Sequence, residues 1–90
     1  MTVTKRDGRV VEFEKQKIFD AVVKAGERTD SNCNDLASRI SNYINSLNLD
    51  MTVEEIQDLV ENKLMSSSRK DVAKEYITYR NERNRIRVWG

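Results

Sequence analysis

The sequence predicts an α+β fold, a small β-sheet built on an N-terminal β-hairpin and packed on a four-helix bundle. Two short runs of alternating character, Thr2–Arg6 and Val10–Phe13, flank an Asp7-Gly8 pair, and Asp-Gly between such runs is the strongest short-range signal for a tight hairpin, here through a primed turn that needs a positive φ at Gly8. Directly afterwards the apolar spacing changes from 2 to 3.6 residues and keeps that period through four amphipathic segments. Proline, internal repeats and low-complexity linkers are all absent, so residues 1–90 read as one domain.

Each element has its own justification. Val3 faces inward on the first strand, and Val10 to Phe13 form its antiparallel partner. A hairpin alone is marginal, so it must lie on helices or gain a strand. The first helix runs from about Glu14 or Lys15 to Ala25, with Ile18, Ala21, Val22 and Ala25 on one face and Gly26 where a left-handed C-terminal cap belongs. A polar loop follows, and Ser31 or Asn32 is the expected N-cap of the second helix. That helix carries Leu36, Ala37, Ile40, Tyr43, Ile44 and Leu47 at helical spacing. Asn48-Leu49-Asp50-Met51 is either a bare loop or a brief extended segment that pairs with the hairpin. Thr52 and Glu55 form a capping box, which starts the third helix near Val53 with Ile56, Leu59, Val60 and Leu64 inward. Ser66-Ser67-Ser68 ends it and starts the last helix, whose apolar face is Val72, Ala73, Tyr76 and Tyr79. Tyr43 and Tyr76 are assigned to the core. Arg85 to Trp89 alternates again, and an apolar end at Trp89-Gly90 suits a domain excised from a longer chain.

Composition bounds the function. Ninety residues support one modest core, too small for an enzyme that encloses its own substrate cavity. Charged residues make up 34% of the chain, yet they nearly cancel to +1, which argues against a field designed for nucleic acid or a membrane surface. One cysteine excludes an internal disulfide, and without histidine a zinc site is practically ruled out. No apolar run approaches the roughly 20 residues of a transmembrane helix, and no secretion signal opens the chain, so a cytoplasmic setting is expected. With no histidine to activate Cys33, no nucleophilic site is read there.

The three glycines form neither G-x-x-x-x-G-K-[ST] nor G-x-G-x-x-G, so any phosphate must be held by side chains. Lys5 and Arg6 stand at the hairpin mouth, and the first helix brings Lys17 back toward them. Three cations in one small space invite a polyphosphate. The competing explanation is a set of solvated cations neutralised by Glu12, Glu14 or Asp20.

The string Thr4-Lys5-Arg6-Asp7-Gly8, with Phe13 and then Lys17-Ile18, resembles the opening of an ATP-cone, the allosteric nucleotide-binding domain at the N-terminus of many ribonucleotide reductases. Thr52 to Glu61 and Asp71 to Arg80 are similar to the third and fourth helices of such cones, most closely those of the anaerobic (class III, glycyl-radical) enzymes. The resemblance spans roughly Val3 to Arg85.

It implies a regulatory domain of ribonucleoside-triphosphate reductase with no catalytic site of its own, the radical site and active-site cysteines lying beyond Gly90. ATP would activate and dATP would inhibit, with Mg²⁺ accompanying the triphosphate. The implied nucleotide-binding residues are Val3, Lys5, Arg6, Val11, Glu14, Lys17, Ile18, Thr52, Val53, Gln57, Arg80 and Arg83. Lys5, Arg6 and Lys17 would hold phosphates, and Ile18 would touch base or sugar. Some cones carry an acidic residue in place of Val11 and a histidine in place of Gln57, so the count of nucleotides stays open at one or two. The implied partners are adenine nucleotides, the catalytic domain of the parent reductase, and a further copy of the cone. Two rival readings are the cone of a nucleotide-sensing transcriptional repressor, which would need a zinc ribbon ahead of it, and a nucleic-acid module with Arg80, Arg83, Arg85 and Arg87 as a basic stripe.

Overall fold

The computed structural model describes the backbone of residues 1–89 and the side-chain surroundings of residues 1–83. Its elements run β1 (Thr2–Thr4), β2 (Val10–Glu12), α1 (Lys15–Glu27), α2 (Asn34–Leu47), β3 (Met51–Thr52), α3 (Val53–Ser66) and α4 (Lys70–Trp89). The predicted α+β class and the four helices are those observed, and the segment before α3 supplies a third strand.

The sheet order is β2-β1-β3, with β1 antiparallel to β2 and parallel to β3. A parallel pair needs a long crossover, and α1 with α2 provides it. The register sets Val11 beside Val3 and Val3 beside Met51. Because side chains alternate along a strand, these three share one face. That face is covered by helices, leaving Val3 9% and Met51 8% exposed, whereas Val10 on the other face is 62% exposed. Asp50 ties the sheet together: its Oδ1 accepts the Thr2 amide at 2.8 Å. This backbone hydrogen bond holds the Asp50 carboxyl below the usual carboxylate range.

The hairpin turn is wider than a two-residue primed turn. The Gly8 amide donates to the Lys5 carbonyl at 2.9 Å, and the Lys5 amide donates to the Arg9 carbonyl at 2.7 Å. Three residues therefore bridge the strands, with Gly8 at φ 89° in the left-handed bulge that such loops require. The positive φ falls at the predicted glycine, while the turn class is one step longer. Asp7 stiffens the loop, since its carboxylate accepts the Arg9 amide at 3.1 Å and the Arg9 Nε at 2.7 Å.

The core joins all four helices to the sheet through Val22, Ala25, Cys33, Ile40, Ile44, Ile56, Val60, Leu64, Val72 and Tyr76, with Val3 and Met51. Gly26 is not the left-handed cap that its place in the sequence predicts. It lies inside α1, fully buried, where a Cβ would come within 2.5 Å of the Cys33 sulfur. Close packing demands the glycine there, and the left-handed positions are Asp30 and Asn48 instead. The N-cap of α2 is Cys33, not Ser31 or Asn32. Asn32 still contributes by accepting the Asn34 amide at 3.0 Å. Tyr43 is a second correction: it is 37% exposed, and the Lys63 ammonium sits 3.9 Å above its ring, a surface cation–π contact. Ser41 takes the buried place on that side of α2, its hydroxyl donating to the Ser38 carbonyl at 3.1 Å. The Thr52–Glu55 capping box forms as predicted. The alternation over Arg85 to Trp89 does not make a strand, because α4 continues to Trp89.

Candidate functional site

A cleft of about 340 Å³ opens between the sheet, α1, the first turns of α3, and α4. Its floor follows from the sheet register, with Val3 and Val11 adjacent. The hairpin contributes Lys5; the segment leading into α1 and that helix's first turns contribute Phe13, Glu14, Lys17, Ile18 and Ala21; α3 contributes Val53, Ile56 and Gln57; α4 contributes Tyr76, Tyr79, Arg80 and Arg83. Of the twelve predicted site residues, ten lie in this lining: Val3, Lys5, Val11, Glu14, Lys17, Ile18, Val53, Gln57, Arg80 and Arg83. Arg6 and Thr52 stand outside it. Arg6 turns toward α3, where one of its terminal nitrogens is 3.0 Å from Glu54 Oε1 and 3.5 Å from Gln57 Oε1. The Thr52 hydroxyl is used in the capping box, accepting the Glu55 amide at 3.1 Å.

The cations of the cleft differ in how far their charge is already matched. Arg80 is the most committed: its Nε donates to Gln57 at 3.0 Å, and its Nη1 lies 2.8 Å from Asp58 and 3.2 Å from Glu61. Burial alone would lower the Arg80 pKa, but the two carboxylates outweigh it and leave it raised. Arg83 donates to the Tyr79 hydroxyl at 3.1 Å, and Tyr79 has Arg83 and Arg28 at 5.8 and 5.9 Å from its ring centroid. Lys17 pairs with Glu14, the N-cap residue of its helix, at 3.2 Å, and the pair is open to water. Among the described residues, no carboxylate lies within ion-pair distance of Lys5. The cleft therefore offers a cationic rim at Lys5 and Lys17, with the carboxylates of Glu12, Glu14 and Asp20 in the same lining but only Glu14 within ion-pair distance of either lysine among the described residues, above an apolar floor that continues to the Tyr76 and Tyr79 rings. That combination can take a ligand with one anionic end and one flat, weakly polar end.

Sequence reasoning passed over Asp20, Lys24 and Tyr79 as cleft residues. Lys24 is seven residues after Lys17 and Tyr79 three after Tyr76, so both follow from helical spacing once Lys17 and Tyr76 are placed. The cleft brings Arg80 in as a clamp between α3 and α4, which leaves little of its charge for a basic stripe. Arg85 and Arg87, the rest of that stripe, lie outside the described side chains. Among the described residues there is no group of His, Cys, Asp or Glu able to hold a metal ion, and no helix long and apolar enough to cross a membrane.

Fold and cleft together define a class: a small α+β module whose cleft is lined by side chains from a hairpin and three helices, in a chain without a glycine-rich loop. The family follows from comparison with known proteins. The model of the ATP cone domain matches residues 1–85, and the chain belongs to that family. It is 36% identical over 94% of its length to the anaerobic ribonucleoside-triphosphate reductase of Haemophilus influenzae, and 42% identical over 94% to the vitamin B12-dependent ribonucleoside-diphosphate reductase of Thermoplasma acidophilum. A ribonucleoside-diphosphate reductase subunit alpha of Chlamydia pneumoniae is 38% identical over 98% of the chain. The chain spans 13%, 12% and 10% of these three relatives. It corresponds to the nucleotide-binding regulatory cone of such proteins and not to their catalytic part.

Proposed function

We propose that this domain sets the overall activity of a ribonucleotide reductase by binding ATP, which activates, or dATP, which inhibits, in the cleft described above. The observation that carries this reading is the pair of cations, Lys5 on the hairpin and Lys17 on α1, at the rim of one cleft with an apolar floor. Lys5 and Lys17 hold phosphate oxygens as point charges, and Arg6 at the hairpin tip adds a bidentate contact. Val3, Val11, Ile18 and Val53 enclose the base and sugar, while Glu14, Gln57, Arg80 and Arg83 complete the polar wall. A few cations leave much of a triphosphate's charge uncompensated, so Mg²⁺ accompanies the nucleotide. The cleft holds one nucleotide, or two.

Because ATP and dATP differ by one hydroxyl, control requires that they favour different arrangements of the cone or of its contacts with the catalytic region or a second cone; equal preference would shift nothing. The setting is cytoplasmic, where these nucleotides are made and used. Calorimetric titration of the 90-residue chain with ATP and with dATP, in Mg²⁺ at physiological salt, tests the reading and counts the sites. Saturable binding of both, with dATP distinguished in affinity, number or induced self-association, is the expected result. No binding of either by a folded sample would overturn it.

A further inference from the structure

Arg6 is the one predicted phosphate ligand that the structure turns away from the cleft, and what it turns toward is specific. Its guanidinium reaches across from the hairpin turn to the first turn of α3, 3.0 Å from Glu54 Oε1 and 3.5 Å from Gln57 Oε1. The same Gln57 oxygen accepts the Arg80 Nε at 3.0 Å. Arg80 in turn is fixed by Asp58 and Glu61. A chain of contacts thus runs from the end of the hairpin through α3 to α4, and its Arg6–Glu54 link lies between side chains that are 31% and 45% exposed, whereas Arg80 at its far end is 15% exposed. Lys5, the residue before Arg6, lines the cleft, as does Gln57. Arg6 therefore sits at the rim, within a side-chain rotation of the cleft.

We infer that Arg6 and Glu54 form a latch, in which Glu54 competes with an anionic ligand for the Arg6 guanidinium. The inference rests on the nucleotide reading of the cleft and adds a residue to it that contributes against binding. A carboxylate and a phosphate both offer the paired oxygens that an arginine fork matches, and an exposed ion pair is weak enough to be exchanged. When Arg6 moves to phosphate, its bonds to Glu54 and Gln57 break, and the hairpin tip is uncoupled from α3. Gln57, still held by Arg80, keeps its place in the wall. Binding at the cleft is in this way converted into a change at the outer edge of the hairpin–α3 junction, away from the phosphates themselves. A ligand whose phosphates reach Arg6 less well would release the latch less completely, which gives two similar nucleotides a route to different states.

The test is calorimetric titration with ATP of the wild-type chain, Glu54→Gln, Arg6→Ala and the double variant. Glu54→Gln keeps side-chain shape and leaves the capping box on Glu55 intact, so folding is not at stake. The expected result is ATP binding about two- to fivefold tighter in Glu54→Gln, the fold-change that an exposed ion pair represents. The gain must vanish in the Arg6→Ala background. A carboxylate that merely repelled phosphate through space would give the same gain with or without Arg6, and that outcome overturns the latch. Unchanged or weaker binding by Glu54→Gln, with the wild type binding normally, overturns the latch and leaves the nucleotide reading standing. Absence of ATP binding in every variant would instead overturn the nucleotide reading, and the latch with it.

Discussion

The helical core and the cleft use the same helices for opposite purposes. In α1, Val22 and Ala25 are buried without exposure while Lys17 and Ile18 line the cleft; in α4, Val72 and Ala73 are buried while Tyr79, Arg80 and Arg83 line it. Among the described residues the core holds no charged side chain, and its buried polar group, Ser41, is satisfied one turn away on its own helix. The cleft is built from charge matched to unequal degrees, from Arg80 with two carboxylates to Lys5 with none within ion-pair distance among the described residues. Stability and recognition are thereby separable along one helix. Substitutions in the core should change unfolding and spare affinity, and those at the rim should do the reverse.

The largest effect expected on the core side is that of Leu64→Ala. Leu64 is fully buried, and removing its side chain leaves a cavity costing about 2 to 5 kcal/mol, enough to take much of a small domain's stability. Chemical denaturation measures the loss. ATP affinity of the folded fraction should stay within twofold of wild type, and a large drop would show that core and cleft are not separable. Lys5→Ala is the matching probe of the rim. A charge-assisted bond to phosphate is worth about 1.5 to 3 kcal/mol, so ATP binding should weaken about tenfold or more while the unfolding midpoint barely moves. Unchanged affinity would remove Lys5 from the site.

Gly26→Ala sharpens the comparison within the core. Alanine would gain roughly 0.5 to 1 kcal/mol of helix propensity, but its Cβ would meet the Cys33 sulfur at 2.5 Å and the Cys33 Cβ at 2.9 Å. Overpacking of about 1 to 3 kcal/mol should win, giving net destabilisation. Adding Cys33→Ala removes the sulfur and should restore part of the loss. A stabilised single variant would mean that the neighbouring loop yields freely.

Gly26 also shows where the sequence was legible and where it was not. Its position after the last apolar residue of a helical period is what a C-cap looks like, and nothing local distinguishes a glycine needed for φ from one needed for space. That distinction depends on Cys33, seven residues on and folded back against it. Tyr43 failed for a related reason, since helical spacing marks a face but not its edge, and the ring lies at the margin where Lys63 can cover it. The elements that local chemistry decides, the left-handed Gly8 and the Thr52–Glu55 capping box, were readable in advance. Lys5 and Lys17 were brought to one cleft by the hairpin-to-helix turn, which is short enough to follow from sequence. The pairing of Arg6 with Glu54 spans most of the chain, and no spacing rule reaches that far.

Acid should separate the two halves with the smallest effect of all. The Asp50 carboxyl is held low by the Thr2 amide, and the Asp7 carboxyl is held low chiefly by the Arg9 amide. A carboxylate whose folded pKa is depressed contributes stability that is present above its unfolded value, about 3.9, and is lost as pH falls through the folded pKa. Both groups are exposed and both serve the sheet, so the effect is slight and local. Among the described residues the hydrophobic core has no such group, and the other two depressed carboxyls, Asp71 and Glu82, lie on α4 and not on α2 or α3. Below about pH 4 the amides of β1 and the hairpin turn should therefore lose protection from hydrogen exchange before those of α2 and the inner turns of α3. Asp50→Asn should show the weakened β1 already at neutral pH and change little further on acidification. Simultaneous loss across sheet and core in the wild type would mean that the hairpin cannot open without the bundle. The latch at Arg6 would then have to act through the whole fold and not through the hairpin alone.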